Sequence, residues 1–401
     1  MRHRRLSLPL TLIALLVPAA PAVAAGWSAD RAQTRAGTAG AVRAAGGNGD
    51  RIALSWSRRL GRTQRAELRL GRARSGLGGA ALVLDSSGNS VEAPLTTYVR
   101  NGAFATVWRR FQSSNHRLKS KTISRDGRPN GTVNVTTTGE SAYDPQWVPG
   151  PVPALLWSRR TRADAMELTL TGSRGVRLPV PPFSEPGAAT GPAGLATVSW
   201  VDDGRVLVSD RTADGFGPPL TLATGEVNLT RVVRLPGGAT LVFWRANTDL
   251  MVAARPAGGS FGPARQVLAS TTDAAQVAVT RTGEVLVVAP TGDSSFVGEL
   301  QLARLGADGA ARGPVLSLGR GRRAQLAADG TGSAFVAWMG ESSSRAITAR
   351  RIANGGILGT PRLLATRSDL TSSPQIAATR EGGAVLAWIA GGDVHARTYR
   401  P

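Results

Sequence analysis

Cysteine is absent from the chain, so no disulfide can brace it and no thiolate can act as nucleophile or metal ligand. Histidine numbers three, and the two beyond the N-terminal segment, His116 and His395, stand in distant parts of the sequence. Neither they nor the carboxylates cluster at ligand spacing, so no metal and no cofactor are expected. Lysine is nearly missing: Lys119 and Lys121 are the pair in a chain whose other basic residues are arginine. Beyond residue 25 no run is apolar enough to cross a bilayer, and no helical period of useful length appears. A Gly-x-Ser-x-Gly elbow and a Gly-Lys-Ser/Thr phosphate loop are both lacking, which removes two common routes to catalysis.

The first residues are of another kind. Arg2, His3, Arg4 and Arg5 precede an uncharged run at 6–17 and a small-residue stretch at 19–25, the three parts of a secretory signal peptide. Residues 1–25 are therefore expected to be a leader cleaved near Ala24 or Ala25, with 26–401 as one domain. An uncleaved anchor is the competing reading, and Pro9, Pro18 and Pro21 argue against it. Taking the three leader arginines from the formal charge of +21 leaves about +18 on the exported chain. So basic a protein attracts polyanions, with an attraction that salt screens. Nucleic acid is set aside as a partner because export separates the two and the aromatic residues are not interleaved with the arginines as stacking platforms. The expected location is outside the cytoplasm, secreted or attached to the cell envelope.

What organises the chain is a repeat. The stretch 334–338 reads Ala-Phe-Val-Ala-Trp, and seven of the nine tryptophans close such a run: Trp56, Trp108, Trp157, Trp200, Trp244, Trp338 and Trp388. The run 285–289 is an eighth copy without its indole. Subtracting neighbouring positions gives spacings of 43 to 52 residues, the length of a propeller blade at about 40–50 residues. Each run is apolar at successive positions, as in Leu241, Val242, Phe243 and Trp244, the pattern of a strand buried on both faces. An inner strand precedes it, a half-polar strand such as Ala-Glu-Leu-Arg-Leu at 66–70 follows, and short outer strands are legible at 219–222, 265–268 and 361–364.

Four strands per repeat predict an all-β fold, a single β-propeller of eight four-stranded blades, or seven if the first unit is irregular. The last unit stops at Tyr399 after its third strand, so residues 27–35 are expected to pair beside 394–399 and close the ring. Residues 26–49 otherwise read as a loosely patterned lead-in, and 181–192, with four prolines, as the longest loop.

The repeat resembles the blades of kelch, WD40 and sialidase-like propellers, as found in exported bacterial β-propeller repeat proteins. It departs from WD40 because Ser57, Arg109, Ser158 and Val201 follow the tryptophans where that family has Asp. It departs from sialidases because Ser-Arg-Asp-Gly at 124–127 is a poor Asp box. No enzymatic family follows from the pattern.

In a propeller the loops after the second strands and the loops entering the first strands share one face. Arg58, Arg59, Arg109, Arg110, Arg159 and Arg160 begin the former in the first three units. Asp202, Asp203, Asp249, Asp293, Glu341 and Asp393 stand in later ones. Guanidinium forks suit carboxylates and phosphates, so the arginines are candidate ligands for an anionic glycan, a cell-envelope polymer or another protein, or else solvated strand-exit charges. Glu140, Tyr143 and Asp144 fall in a lead-in loop on that face. A tyrosine nucleophile with a carboxylate partner would make the chain a sialidase-like glycoside hydrolase. Three readings stay open: binding scaffold, glycoside hydrolase and structural envelope component.

Overall fold

Each tryptophan run forms the second strand of an antiparallel sheet. In the computed structural model, the described residues are 25–34, 37–112, 115–136, 141–159, 162–169, 172–181, 186–272, 275–292, 297–340, 346–366 and 369–401. All of the leader except residue 25 falls outside them. The first unit runs Thr38–Gly46, Arg51–Leu60, Thr63–Arg72 and Leu82–Ser87, each strand hydrogen-bonded to the next. The second strands of the units that follow are Phe104–Gln112, Ala154–Ser158, Gly194–Asp202, Thr240–Ala246, Val285–Thr291, Ala334–Met339 and Ala384–Ala390. The sixth and seventh units share one strand, Leu316–Ala328. Its first part pairs with Gly298–Leu305 and its second with Ala334–Met339. Among the described residues the helical content is one short 3-10 turn, Asn354–Gly356.

The apolar runs are buried on both faces because each sheet is packed between two others. In the fifth unit Val242 and Trp244 point into a cluster with Val206 and Val208 of the fourth. Leu241 and Phe243 point the other way, into a cluster with Val285 and Val287 of the sixth. Period-two alternation therefore sorts one apolar strand between two cores. The seven repeat tryptophans are all buried, and each faces the unit before it: Trp108 meets Leu68 and Leu84 of the first unit, and Trp388 meets Ile347 and Ala349 of the seventh. Trp56 of the first unit packs against Val385, Ala387 and Val394 of the last. Ala289, which replaces the indole in the sixth unit, is equally buried.

The N-terminal segment lies on the last sheet. Gly26–Trp27 and Arg31–Ala32 both pair antiparallel with Asp393–Arg400, placing Trp27 opposite Tyr399 and Ala32 opposite His395. Trp27 makes edge-on contacts with Tyr399 at 5.5 Å and Phe335 at 6.0 Å. Asp30 sits 3.1 Å from Nδ1 of His395, whose ring stacks on Trp388.

Two sequence expectations are corrected. The lead-in at 26–49 contains a regular inner strand, Thr38–Gly46, paired along its length with Arg51–Leu60. Its Ala and Gly residues hid the alternation. Within the proline-rich stretch, Gly187–Gly191 is the inner strand of the fourth unit. A Cβ on Gly187 would lie 2.9 Å from Ser199 Oγ and 3.0 Å from Arg231 Cα, so the small residues there permit close approach of neighbouring strands.

Candidate functional site

A cleft of about 500 Å³ opens between the first and second units, with the edge of the third at its mouth. Arg58 and Arg59 reach it from the end of the first unit's tryptophan strand, Arg109 and Trp108 from the second's. Arg43 comes from the inner strand Thr38–Gly46, and Asp144 and Pro145 from the start of the third unit. Three of the six expected arginines and one of the expected acids thus meet in one place.

Their electrostatic states differ. Arg58 is bound to Glu67 at 2.6 Å, and Glu67, itself 1% exposed, also accepts the Trp56 indole N–H at 2.7 Å. Arg109 is paired with Glu92 of the lead-in to the second unit and donates to the Ala142 carbonyl at 3.4 Å. Arg59 donates from Nε to the Gly61 carbonyl at 3.2 Å, and Arg43 from Nη1 to the Val42 carbonyl at 3.3 Å. Among the described residues neither of these two guanidinium groups has a carboxylate partner. Arg43 is open to water yet deep among protein atoms, and this desolvation lowers its pKa from the usual arginine value. Burial, with Arg109 adding to it and Glu92 opposing, likewise lowers the pKa of the neighbouring His116, so that ring is neutral at neutral pH.

Asp144 has its backbone in the left-handed region, at φ 47°. The cause is a bulge where Tyr143–Val148 meets Ala154–Ser158 opposite Trp157. The same bulge recurs opposite Trp244 at Leu229, φ 52°, and opposite Trp338 at Arg323, φ 53°. A leucine can do no acid–base work, so the strained geometry belongs to the repeat. Tyr143 begins that strand and is not among the cleft residues. Glu140 lies outside the described residues, as do Arg160, Asp293 and Glu341.

Arg110 turns away from the cleft and binds Asp85 on the outer strand of the first unit at 3.0 Å. The reason is strand alternation: Arg109 and its neighbour in sequence must point to opposite faces. Asp85 also accepts the Trp108 indole N–H at 2.8 Å. Arg159 lies in the next cleft along, paired with Asp164 at 2.7 Å. Of the acids expected on the other half of the rim, Asp249 binds Gln266 and the Ser270 backbone, and Asp393 accepts from Thr34. Asp202 stands 3.6 Å from Arg205. Sequence reasoning missed Arg43, whose one signal was a lone charge in an Ala-rich alternating stretch, and Glu92, whose pairing crosses 17 residues.

No protein-family model matches the chain, and no curated protein matches it in sequence. Solved structures do resemble it. The BP39L lectin from Burkholderia pseudomallei superposes with a TM-score of 0.55 at 12% identity, covering 84% of this chain and 100% of that one. The Dos1 propeller gives a TM-score of 0.55 at 11% identity over 92% and 94% of the two chains. A prolyl endopeptidase structure gives 0.51 at 15% identity over 88% of this chain, which spans about half, 53%, of the longer protein. What the chain shares with all three at such identities is the fold: it is a β-propeller built from repeated four-stranded antiparallel sheets.

Proposed function

We propose that the protein is an exported eight-bladed β-propeller, its ring closed by the N-terminal strand, that serves as a binding scaffold for an anionic glycan or cell-envelope polymer. The observation that carries the reading is the cleft between the first two units, where Arg43 and Arg59 present guanidinium groups with no carboxylate partner among the described residues. Arg58 and Arg109 are already neutralised by Glu67 and Glu92, which leaves the other two as the anion-binding pair. Ala93, Leu95 and Pro145, all partly exposed, give the cleft an apolar side suited to a sugar ring. That one similar fold is a lectin is compatible with this reading. The blade count rests on the eight four-stranded units and on the shared core of the first and last. Export rests on the leader composition, and N-terminal sequencing of the secreted protein, expected to begin near Gly26, tests it.

The binding test is retention of the exported chain on immobilised polygalacturonate under a rising salt gradient. Arg43→Ala and Arg59→Ala together should advance elution clearly, whereas Arg110→Ala, already paired with Asp85, should not. Equal elution of all three proteins would remove the cleft as the binding site.

A glycoside hydrolase is the second reading, favoured by one observation: the Asp144 carboxylate lines the same cleft as the arginines. Turnover of a fluorogenic sialoside that Asp144→Asn or Tyr143→Phe abolishes would establish it. Binding to no polymer together with no turnover would leave the structural envelope role.

A further inference from the structure

Two further clefts follow the first along the next units, and the proposed site uses the first alone. One of about 430 Å³ opens between the second and third units beside Trp157, and one of about 570 Å³ between the third and fourth beside Trp200. Arg162 and Arg177 line both, so the two are one continuous groove passing over the third unit. All three clefts contain residues at or just after the ends of the tryptophan strands: Arg58 and Arg59, Arg159 and Arg162, and Asp202 and Arg205.

The groove has a surplus of positive charge. Arg159 and Arg162 share a single carboxylate, Asp164, at 2.7 and 3.0 Å. Arg205 stands 3.6 Å from Asp202, with both side chains open to water. Arg177 is exposed and has no side-chain partner among the described residues. Four guanidinium groups thus face two carboxylates. The remaining walls include apolar residues open in part to water, Pro179, Pro181 and Pro219 in one cleft and Met166 in the other, with Trp200 and Trp157 buried behind them. The indole N–H of Trp157 is buried without a hydrogen-bond acceptor among the described residues.

We infer that this groove is a second anion-binding site, which takes a further segment of the same carboxylated polysaccharide that the first cleft binds. The inference rests on the binding reading above. Arginine forks at intervals beside proline walls match a chain of uronate-type sugars, each with one carboxylate and one apolar ring face. A long chain occupying both sites gains avidity through the high effective concentration of its second segment.

Calorimetric titration of the whole exported chain with trigalacturonate at low salt tests this, with Arg177→Ala/Arg205→Ala as the groove variant and Arg43→Ala/Arg59→Ala as the cleft variant. Two sites are expected, one lost in each double variant, and long-chain polygalacturonate should bind either variant about tenfold or more weakly than the native chain. All four side chains are open to solvent, so unchanged unfolding midpoints will show that the variants are folded. One site, lost in the cleft variant and untouched in the groove variant, overturns the groove while leaving the function intact. One site, lost in the groove variant alone, overturns the cleft and keeps the groove. Polyglutamate binding in the groove with no trigalacturonate there overturns the sugar assignment in favour of an acidic peptide.

Discussion

Glu67 shows how a single carboxylate sets the charge of the cleft. It is buried, accepts the Trp56 N–H and neutralises Arg58. Glu67→Gln should therefore cost about 1–3 kcal/mol of stability in urea unfolding, because a charge-assisted bond is lost in a dry place. The same change removes the negative charge beside Arg58 and so makes the cleft more positive, and retention on polygalacturonate should lengthen. Earlier elution would show that Arg58 does not face the ligand. Asp210 contributes to the acid limb of stability. Burial pushes its pKa up, but bonds from Arg255 and Thr197, with the charges of Arg255 and Arg234, outweigh this and hold it below the usual 3.8. A carboxyl depressed in the folded state contributes stability above its unfolded pKa and loses it as pH falls through the lower folded value. Asp210→Asn should flatten the fall in stability below about pH 4, measured by thermal unfolding across acidic buffers. Residue identity was the level at which the sequence was least complete. The arginines were visible, but whether each was spent depended on Glu67, Asp85 and Glu92, which stand 9, 25 and 17 positions away from the arginines they bind.

At the scale of the element, two strands carry consequences that their composition concealed. Gly26–Trp27 pairs with the edge of Asp393–Arg400, and Trp27 is partly buried against Phe335 and Tyr399. Trp27→Ala should lower stability by about 2 kcal/mol, less than for a fully buried indole. Deleting residues 26–32 should do more, since it bares an unpaired edge strand, and light scattering should report self-association. The inner strand Gly187–Gly191 tolerates no side chain at its start, so Gly187→Val should cost about 1–3 kcal/mol through overpacking against Ser199 and Arg231. Strands such as Ala334–Met339 were legible because apolar residues recur without a break between glycine turns. The strands Thr38–Gly46 and Gly187–Gly191 were not, because Gly, Ala and Pro give no alternation of face, and their β-structure is imposed by the apolar strand alongside.

Across the whole molecule, each unit is sandwiched between neighbours, and the first shares its core with the last. If that arrangement is a closed ring, disturbance anywhere should be felt everywhere. Trp56→Ala and Trp244→Ala, in the first and fifth units, should each lower one common unfolding transition by about 3–5 kcal/mol. Two separate transitions in either variant would instead describe an open array, in which each repeat answers only to its neighbours. The sequence by itself determined the apolar second strands, their period, their two buried faces and the basic character of the chain, because these follow from local apolar runs and composition. Only the tertiary structure decided which arginines remain unpaired, that Arg43 joins Arg59 in one cleft, and that Arg162 and Arg177 link two others. Pairing is set by which side chains of separate units are brought within a few ångströms, and nothing in the order of residues along one strand encodes that distance.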